Sequence, residues 1–541
     1  GVSLYLIHRV TRWPSPSPWA SRMQRVLTPT EMAEADRRTI DAGTPFNALV
    51  ERAGRAVGRE VLAILGGAYA KRAVIICGPG NNGADGEVAA RVLRSRGVRC
   101  QVSALTSPLD RSAVTREIQR CDVLVDAMFG TGFHGALDGD AAWIAEQTHR
   151  RSVGPHTFKV VAVDIPSGVH GLTGETLGPS VSADRTVTFG ALKPGLLSEP
   201  GRGLAGSVTV SQIGIEIGDG TLLGLVDEQD VREWIPQRAA NDHKWGLGPV
   251  MVVGGSPGMA GAPRLSAASA LRAGSGVVVS YSPDPHGADS PADSAAELLR
   301  PGTSHSAESA ESPAESLRLG SEVITRGIPL GQEGHLNRDS AEYLIEAAQR
   351  FHAVLIGPGL GADHGVAEVV RALIAGVVAP IVLDADGLNA LGGDLSPLQG
   401  RAKAGLGPVI LTPHEGEFER LAGLVGSDRV AAARGLARAS AATVLLKGPT
   451  TVIAEPDGVA YIVDSGGPWL ATAGSGDVLA GIIAALLASG LSPGKAAASG
   501  AWLHCRASDF AGHTCLVASD IVSALPAAWP RFSGTMREQH Q

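Results

Sequence analysis

The sequence predicts an α/β protein made of two doubly wound domains. Three observations predict it. Short apolar runs alternate with stretches of helical spacing, first over residues 73–213 and again over 250–454, the pattern of a parallel sheet flanked by helices. The chain has 541 residues, too many for one ordinary core. Its 70 glycines fall in clusters after apolar runs, where a turn at a strand's end can approach a ligand.

Composition narrows the function. The chain is 44% apolar and 18% charged, with a net charge of −8. Its pI is near 6.0, so a basic footprint for nucleic acid is absent. No apolar run approaches the roughly 20 residues that span a bilayer. Neither a nucleic-acid nor a membrane partner is therefore expected. The five cysteines, Cys77, Cys100, Cys121, Cys505 and Cys515, have no metal-binding spacing. They read as reduced thiols, three of them in or beside apolar runs, which points to a reducing, cytoplasmic compartment.

In chain order, domain-like sequence begins at Met23, so residues 1–22 are expected to be a disordered extension or an artefact of an upstream start. A helical segment over 23–65 opens the first domain. Strands are expected at 73–77, 99–105, 123–126, 160–164, 185–189 and 207–213, giving a domain over 23–217. Residues 218–240 read as a linker carrying one short helix, "DEQDVREWI". The second domain spans 241–530, with strands at 250–253, 277–281, 353–356, 381–383, 409–411, 444–446 and 451–454. Residues 284–322, rich in Ser, Ala, Pro and Glu, bury too little to fold and read as a low-complexity insertion. Residues 531–541 are a tail. The halves share no repeat and read as unrelated domains.

Residues 77–93, "CGPGNNGADGEVAARVL", place Gly78, Gly80 and Gly83 in the spacing G-x-G-x-x-G. A dinucleotide fold also needs an acid at the end of the second strand, and "RCQVSALTS" has none there. A tight strand-to-helix turn accounts for the glycines but not for Asn81, Asn82 and Asp85. Backbone N–H groups at a helix start suit a phosphate, and Asn carbonyls suit a cation. Two more strands end in similar chemistry. "DVLVDAMFGTGFHG" carries Asp126 and the turn Gly130-Thr131-Gly132, and "VVAVDIPSGV" carries Asp164 and Ser167. Each alone could be a helix cap or a solvated turn. Together they occupy the carboxyl edge of the sheet, where doubly wound folds bind ligands.

"GPGNNGADG", "VDAMFGTG", "VDIPSGV" and "TVTFGALKPGLL" resemble the NAD(P)H-hydrate epimerase family over almost all of 23–217. The resemblance implies a Rossmann-like three-layer sandwich that interconverts the R and S epimers of nicotinamide hydrates hydroxylated at ring C6. It implies that Asn81, Asn82, Gly83, Ala84 and Asp85 line the substrate, with Gly130, Thr131, Gly132, Phe133, His134, Gly135 and Ala136. It further implies K+ held by Asn82, Asp126 and Ser167, and Asp164 at the nicotinamide. Lys193, in "FGALKPG", is the other reactive group the motif brings in, although a lone lysine can equally be a surface residue. Epimerising a carbinolamine suits an acid/base pair, for which Asp164 and Lys193 are the candidates. Ala84 stands where the family often has glycine, a mild change if its φ is negative. "VHGLTGE" also departs from the family pattern.

Residues 472–486, "TAGSGDVLAGIIAAL", put Asp477 near the start of a strongly apolar helix behind a glycine turn. Such a terminus can stabilise a transferring phosphoryl group while the Asp accepts a proton. An ordinary helix-dipole charge is the plainer reading. "VLIGPGLG" (Gly357 to Gly361), "LDADGLNAL" (Asp384, Asp386, Asn389), "LTPHEGEFERL" (His414, Glu417) and "LLKGPTTVIA" (Lys447 to Thr451) shift the balance.

This set resembles the ribokinase-like superfamily, and more closely its NAD(P)H-hydrate dehydratase branch, over about 240–530. The resemblance implies an α/β/α domain that phosphorylates the C6 hydroxyl so that phosphate can leave. Asp477 would be the base and contact the hydrate, and Gly476 would lie against the nucleotide. Lys447, Gly448, Pro449, Thr450 and Thr451 would bind ADP, while Ala262, Gly359 and His414 would face the hydrate. Mg2+ is expected on the transferring phosphates. ADP is favoured over ATP because a fused two-domain chain looks bacterial. Where the family commonly has "HKG", this chain has His243-Lys244-Trp245-Gly246.

The leading reading is a bifunctional repair enzyme acting on NAD(P)HX with ADP, expected as a homo-oligomer. The alternative is a ribokinase-like vitamin-precursor kinase fused to a nucleotide-binding module. A third reading makes the first half a binding module without catalysis.

Overall fold

The computed structural model describes residues 23–150, 157–218, 220, 222–236, 248–283, 322–331, 334–363, 365–464 and 466–530. The expected extension (1–22) and tail (531–541) lie outside the described residues. So do most of the expected insertion (284–321) and the departure at 243–246. The described residues divide into two compact units, one of Gln24–Leu225 with Gly426–Arg429, the other of Met23, Val226–Val425 and 430–530.

In the first unit β1 (Gln24–Arg25) leads into α1 (Pro29–Asp41). The helix start is set by a Thr28/Glu31 capping box with Pro29 at the first position. The segment expected to be one helix is two. Gly43, at φ +107°, and Pro45 break it before α2 (Phe46–Leu65). There follow β2 (Arg72–Cys77), α3 (Asn81–Ser95), β3 (Arg99–Ala104), α4 (Arg111–Ile118), β4 (Val123–Ala127) and α5 (Gly139–Arg150). The unit closes with β5 (Lys159–Val163), β6 (Arg185–Phe189), α6 (Gly201–Ala205), β7 (Ser207–Ser211) and β8 (Leu223–Leu225). All six expected strands form one parallel sheet in the order β3-β2-β4-β5-β6-β7. β1 and β8, too short to read from sequence, pair antiparallel.

Alternate residues of the strands feed two cores, as a period of two requires. Ile75, Val125 and Val161 pack with Val57 of α2 and Leu93 of α3. Ile76, Leu124 and Val160 pack on the other face with Ile118 of α4 and Ile144 of α5. The chain leaves β2 towards β3 on one side and returns to β4 on the other. The turns after β2 and β4 therefore flank the crevice where strand order reverses.

The second unit begins with α7 (Glu228–Trp234), the helix expected in the linker. Val231 and Ile235 are buried in this unit's core, and the Trp234 ring meets Tyr461 edge-on at 5.7 Å. The strands are β9 (Val250–Val253), β10 (Val278–Pro283), β11 (Ile324–Ile328), β12 (Ala353–Ile356), β13 (Ile381–Leu383) and β14 (Val409–Leu411), then β15 (Thr443–Leu446), β16 (Thr451–Ala454) and β17 (Ala460–Val463). Their order is β17-β16-β15-β14-β13-β12-β9-β10-β11. Neighbours from β11 to β15 pair parallel, and β15–β16 and β16–β17 pair antiparallel. β11 and β17 were not expected. The first four residues of β11 are exposed, so this edge strand has no apolar pattern to read. Β17 is an apolar run of only four residues, which periodicity cannot tell from a helical turn.

The helices between these strands are α8 (Gly261–Arg272), α9 (Arg338–Ala348), α10 (Val366–Gly376), α11 (Asp386–Asn389), α12 (Ser396–Lys403), α13 (Glu415–Ala422) and α14 (Arg429–Ser440). Three more follow the sheet: α15 (Ser475–Ala488), α16 (Pro493–Ala511) and α17 (Ala518–Ala528). From Val478 to Ala488 every residue of α15 is buried, because α8, α16 and α17 surround it.

Candidate active sites

The glycine turn of the first unit is dictated by packing. A Cβ on Gly78 would stand 1.8 Å from the Met128 carbonyl oxygen, and one on Gly83 would stand 2.0 Å from the Gly78 oxygen. Only glycine lets the turn after β2 close against the turn after β4. α3 then starts at Asn81, with its free N–H groups at the crevice. Ala84 lies inside α3 rather than at positive φ, so its replacement of glycine costs nothing in the backbone.

A cavity of about 780 Å³ opens there. Of the sequence-predicted residues, Asn81, Asn82, Asp85, Gly130, Thr131, Gly132, Phe133, Asp164 and Lys193 line it. Gly83, Ala84, His134, Gly135 and Ala136 do not line it, and Gly135 lines a separate, smaller cavity with His170. His134 pairs with His170 (Nδ1 to Nε2, 3.3 Å), and Ala136 lies against Gly178. The opposite wall comes from α1 and α2, through Met32, Asp36, Phe46 and Leu49. Sequence reading missed this wall. Its one signal was Asp36, an acid four residues after Met32 on a helix whose buried positions are Met32, Ala35 and Thr39.

Asp164 sits at φ +67°, a left-handed conformation that a non-glycine residue adopts only under constraint. The constraint is visible. Asp164 Oδ1 accepts from Lys193 Nζ (2.8 Å) and Thr188 Oγ1 (3.1 Å), and Oδ2 accepts from Thr131 N (3.2 Å). Burial works against its charge, but the Lys193 ammonium and these hydrogen bonds hold its pKa below the usual carboxylate value. Lys193 is 1% exposed, and Nζ donates to Asp164, to Thr188 Oγ1 (2.7 Å) and to Phe189 O (3.0 Å). Its three N–H groups are all used. Asp85 differs: burial first, then the charges of Asp164 and Asp36, push its pKa up to about 8.

Asp126 and Ser167 lie deeper. Asp126 is fully buried and accepts from Ser167 Oγ (2.7 Å), Ser167 N (2.8 Å) and Met128 N (3.2 Å). Burial lifts its pKa to about 6 despite those bonds. Asn82 donates through Nδ2 to Val163 O (3.0 Å), which turns Oδ1 towards Gly130. Asp126 and Ser167 are joined directly, while the Asn82 amide oxygen faces Gly130; carboxylate, hydroxyl and amide oxygens are the donor types that suit a hard cation.

In the second unit, α15 starts behind Gly474 at φ +85°. Two buried side chains anchor the turn. Ser475 Oγ lies 3.1 Å from His504 Nε2, and Ser266 Oγ donates to the Asp477 carbonyl (2.9 Å). Burial, reinforced by Lys447 and opposed by a hydrogen bond to the Ser475 backbone, lowers the His504 pKa to about 4, so the ring that meets Ser475 is neutral. Neither His504 nor Ser266 was found from sequence; a lone histidine in an apolar helix carries no signal there.

Asp477 faces a charged cluster. Lys447 Nζ lies 2.9 Å from Asp384 Oδ1 and 3.7 Å from Glu417 Oε2, and Thr412 Oγ1 donates to Asp384 Oδ1 (2.7 Å). Burial opposes the Lys447 charge, yet Asp384 and Glu417 keep its pKa above the ordinary lysine value. Burial and then Asp384 push Asp477 up to about 7, with Lys447 opposing. A Cβ on Gly476 would come within 3.5 Å of Lys447 Nζ. Ala385, between Asp384 and Asp386, has φ +48°, a second non-glycine residue held left-handed beside a candidate site.

The remaining predicted residues have distinct places. Gly359, at φ +65°, approaches Ala262 so closely that a Cβ on it would lie 3.3 Å from the Ala262 Cβ. His414 caps α13: its Nδ1 accepts from Glu417 N (3.3 Å) and its half-exposed ring stays open to solvent. Gly448 and Pro449 are exposed in the β15–β16 turn, with Thr450 buried and Thr451 opening β16. Among the described residues no group of three or more His, Cys, Asp or Glu is arranged to hold a metal by itself.

Comparison with known proteins adds the family. A family model described as NAD(P)H-hydrate dehydratase matches residues 250–526, and one described as YjeF-related protein N-terminus matches 47–120 and 106–195. The bifunctional NAD(P)H-hydrate repair enzyme Nnr of Moorella thermoacetica is 37% identical over 548 residues, covering 93% of this chain and 96% of that one. The enzyme of the same name from Escherichia coli is 31% identical over 528 residues, covering 92% of each. Among solved structures, the Bacillus subtilis ADP/ATP-dependent NAD(P)H-hydrate dehydratase co-crystallised with ATP/Mg2+ is 27% identical. It covers 56% of this chain and 97% of its own, with a TM-score of 0.44. Relatives above 30% identity run through both units and both candidate sites, and the chain belongs to the family of bifunctional NAD(P)H-hydrate repair enzymes.

Proposed function

We propose that the first unit interconverts R- and S-NAD(P)HX, and that the second converts the S epimer to NAD(P)H with ADP as phosphoryl donor, releasing AMP and phosphate. The observation that carries this reading is the pairing, in one chain of this family, of a polar cavity at a strand-order switch with an acid poised at a buried helix start.

In the first unit, Asn81, Asn82 and the start of α3 receive the cofactor's phosphates, and the cavity takes the hydrated ring. Asp164, kept ionised by Lys193, faces the C6–N1 region and stabilises positive charge as the hydroxyl departs. Asn82, Asp126 and Ser167 are the residues that would hold potassium, which would supply a positive charge to the site.

In the second unit, Asp477 takes the proton of the C6 hydroxyl as its oxygen attacks the β-phosphorus of ADP, and AMP leaves. The C6–O bond then breaks with its electron pair on phosphate, and loss of a C5 proton forms the C5=C6 double bond. Lys447 and the residues to Thr451 hold the nucleotide, and the N–H groups of α15 face the transferring phosphoryl. Ala262, Gly359 and His414 form the hydrate's side. Magnesium, arriving on the nucleotide's phosphates, supplies charge neutralisation there.

The test is a mixed R/S NADHX sample with ADP and magnesium, followed by recovery of near-ultraviolet absorbance. Fast recovery of both epimers is expected, halved by Asp164→Asn and abolished by Asp477→Asn. A stable phosphate ester, or no recovery with ADP or ATP, would overturn the dehydratase assignment in favour of a small-molecule kinase.

A further inference from the structure

Resting on the epimerase reading of the first unit, we propose that Asp85 is the catalytic acid of epimerisation, delivering a proton to the departing C6 hydroxyl and taking one back from the returning water. Three observations carry it. Asp85 lies in the first turns of α3, 7% exposed, and lines the same cavity as Asp164. Its carboxyl has no hydrogen-bond partner among the described residues, whereas Asp164 is held by three donors. Lys193, the obvious alternative, spends all three N–H groups on Asp164, Thr188 and Phe189 and has none left for a substrate.

The environment separates the two carboxyls in the way a proton donor and a charge stabiliser require. From α1, Asp36 and Arg37 face the cavity, and Asp36 Oδ1 is itself buried without a partner. From α2 only apolar Phe46, Leu49, Val50 and Ala53 do so. Asp164 and Lys193 face it from beyond β5 and β6. Asp126 on β4 does not. It shares the strand parity of Leu124, whose core lies with α4 and α5 on the opposite side of the sheet from α3. Asp85 thus meets two neighbouring acids in a low-dielectric wall, and holds its proton up to about pH 8.

The step balances. The Asp85 proton moves to the C6 hydroxyl, and the C6–O bond breaks with its electron pair leaving as water. The N1 lone pair forms N1=C6, whose positive charge faces Asp164. Water then adds to the other face of C6, the N1=C6 pair returns to nitrogen, and the proton lost from water restores Asp85.

The test uses the full chain and an R-enriched NADHX sample, with epimers separated chromatographically and the spontaneous rate subtracted. The wild-type kcat is expected to be level below pH 8 and to fall about tenfold per unit above it, since the protonated acid is the active form. Asp85→Asn is expected to lose roughly 10²- to 10⁴-fold in kcat, the range for a general acid. It should do so with KM within about threefold of wild type and no alkaline limb left in the residual rate. Asp36→Asn should keep that limb. A kcat for Asp85→Asn within twofold of wild type would overturn the assignment. So would a limb that vanishes in Asp36→Asn instead, or a wild-type profile flat through pH 9, a measurement that needs no variant to fold. No acceleration by the wild type at all would sink the epimerase reading itself, a distinct outcome.

Discussion

At the scale of single residues, both sites rest on carboxylates whose surroundings decide their charge. Asp164 and Asp384 each face a lysine at under 3 Å in a buried setting, and each sits at or next to a non-glycine residue with positive φ. Such backbone costs about 1–3 kcal/mol and persists only where neighbours enforce it. Lys193 does so for Asp164. Lys193→Met keeps the length of the side chain but leaves Asp164 buried without its cation, and breaking a buried pair on one side typically costs about 3–5 kcal/mol. Urea unfolding at neutral pH should register that loss. Removing the lysine also removes what holds the Asp164 pKa down, so the penalty should shrink as pH falls and the carboxyl is protonated. A loss below about 1 kcal/mol would mean that the pair does not anchor the turn.

At the scale of elements, glycines set the distances between layers. A Cβ on Gly86 would lie 2.6 Å from the Ala127 Cβ and 3.0 Å from Cys77 Sγ, both short side chains on central strands that cannot swing away. Gly86→Ala should therefore lift α3 from the sheet and cost about 1–3 kcal/mol. Gly80 meets nothing within 4 Å and has φ −100°. Gly80→Ala should leave stability within about 0.5 kcal/mol. Thermal melts of the two variants side by side check the contrast, and equal losses would show that close approach is not what selects glycine here. In the second unit the comparable role falls to buried hydroxyls, with Ser266 and Ser475 tying the start of α15 to α8 and α16.

At the scale of the whole molecule, the described residues of each candidate site belong to one compact unit. The residues around the first cavity run from Met32 to Ile215, and those of the second cluster from Ala262 to His504. An equimolar mixture of the Asp164→Asn and Asp477→Asn chains should therefore recover NADH from both epimers, the S hydrate diffusing between molecules. Recovery that stops at half in the mixture would mean that one site depends on the other being intact in the same chain.

The sequence by itself determined the two α/β halves, most strands within a residue or two, and several of the residues that stand at each carboxyl edge. Buried parallel strands are continuous apolar runs, and glycine turns after them are local. Asp126, Asp164, Asp384 and Asp477 stand next to such turns, so position along the chain was enough to find them. What only the tertiary structure decided depends on contacts distant in sequence. The α1–α2 wall with Asp36, the Ser475–His504 tie and the exhaustion of the Lys193 donors by Asp164, Thr188 and Phe189 are of this kind. So is the proton on Asp85, because ionisation in a protein is set by burial and neighbouring charge, neither of which is written in local order.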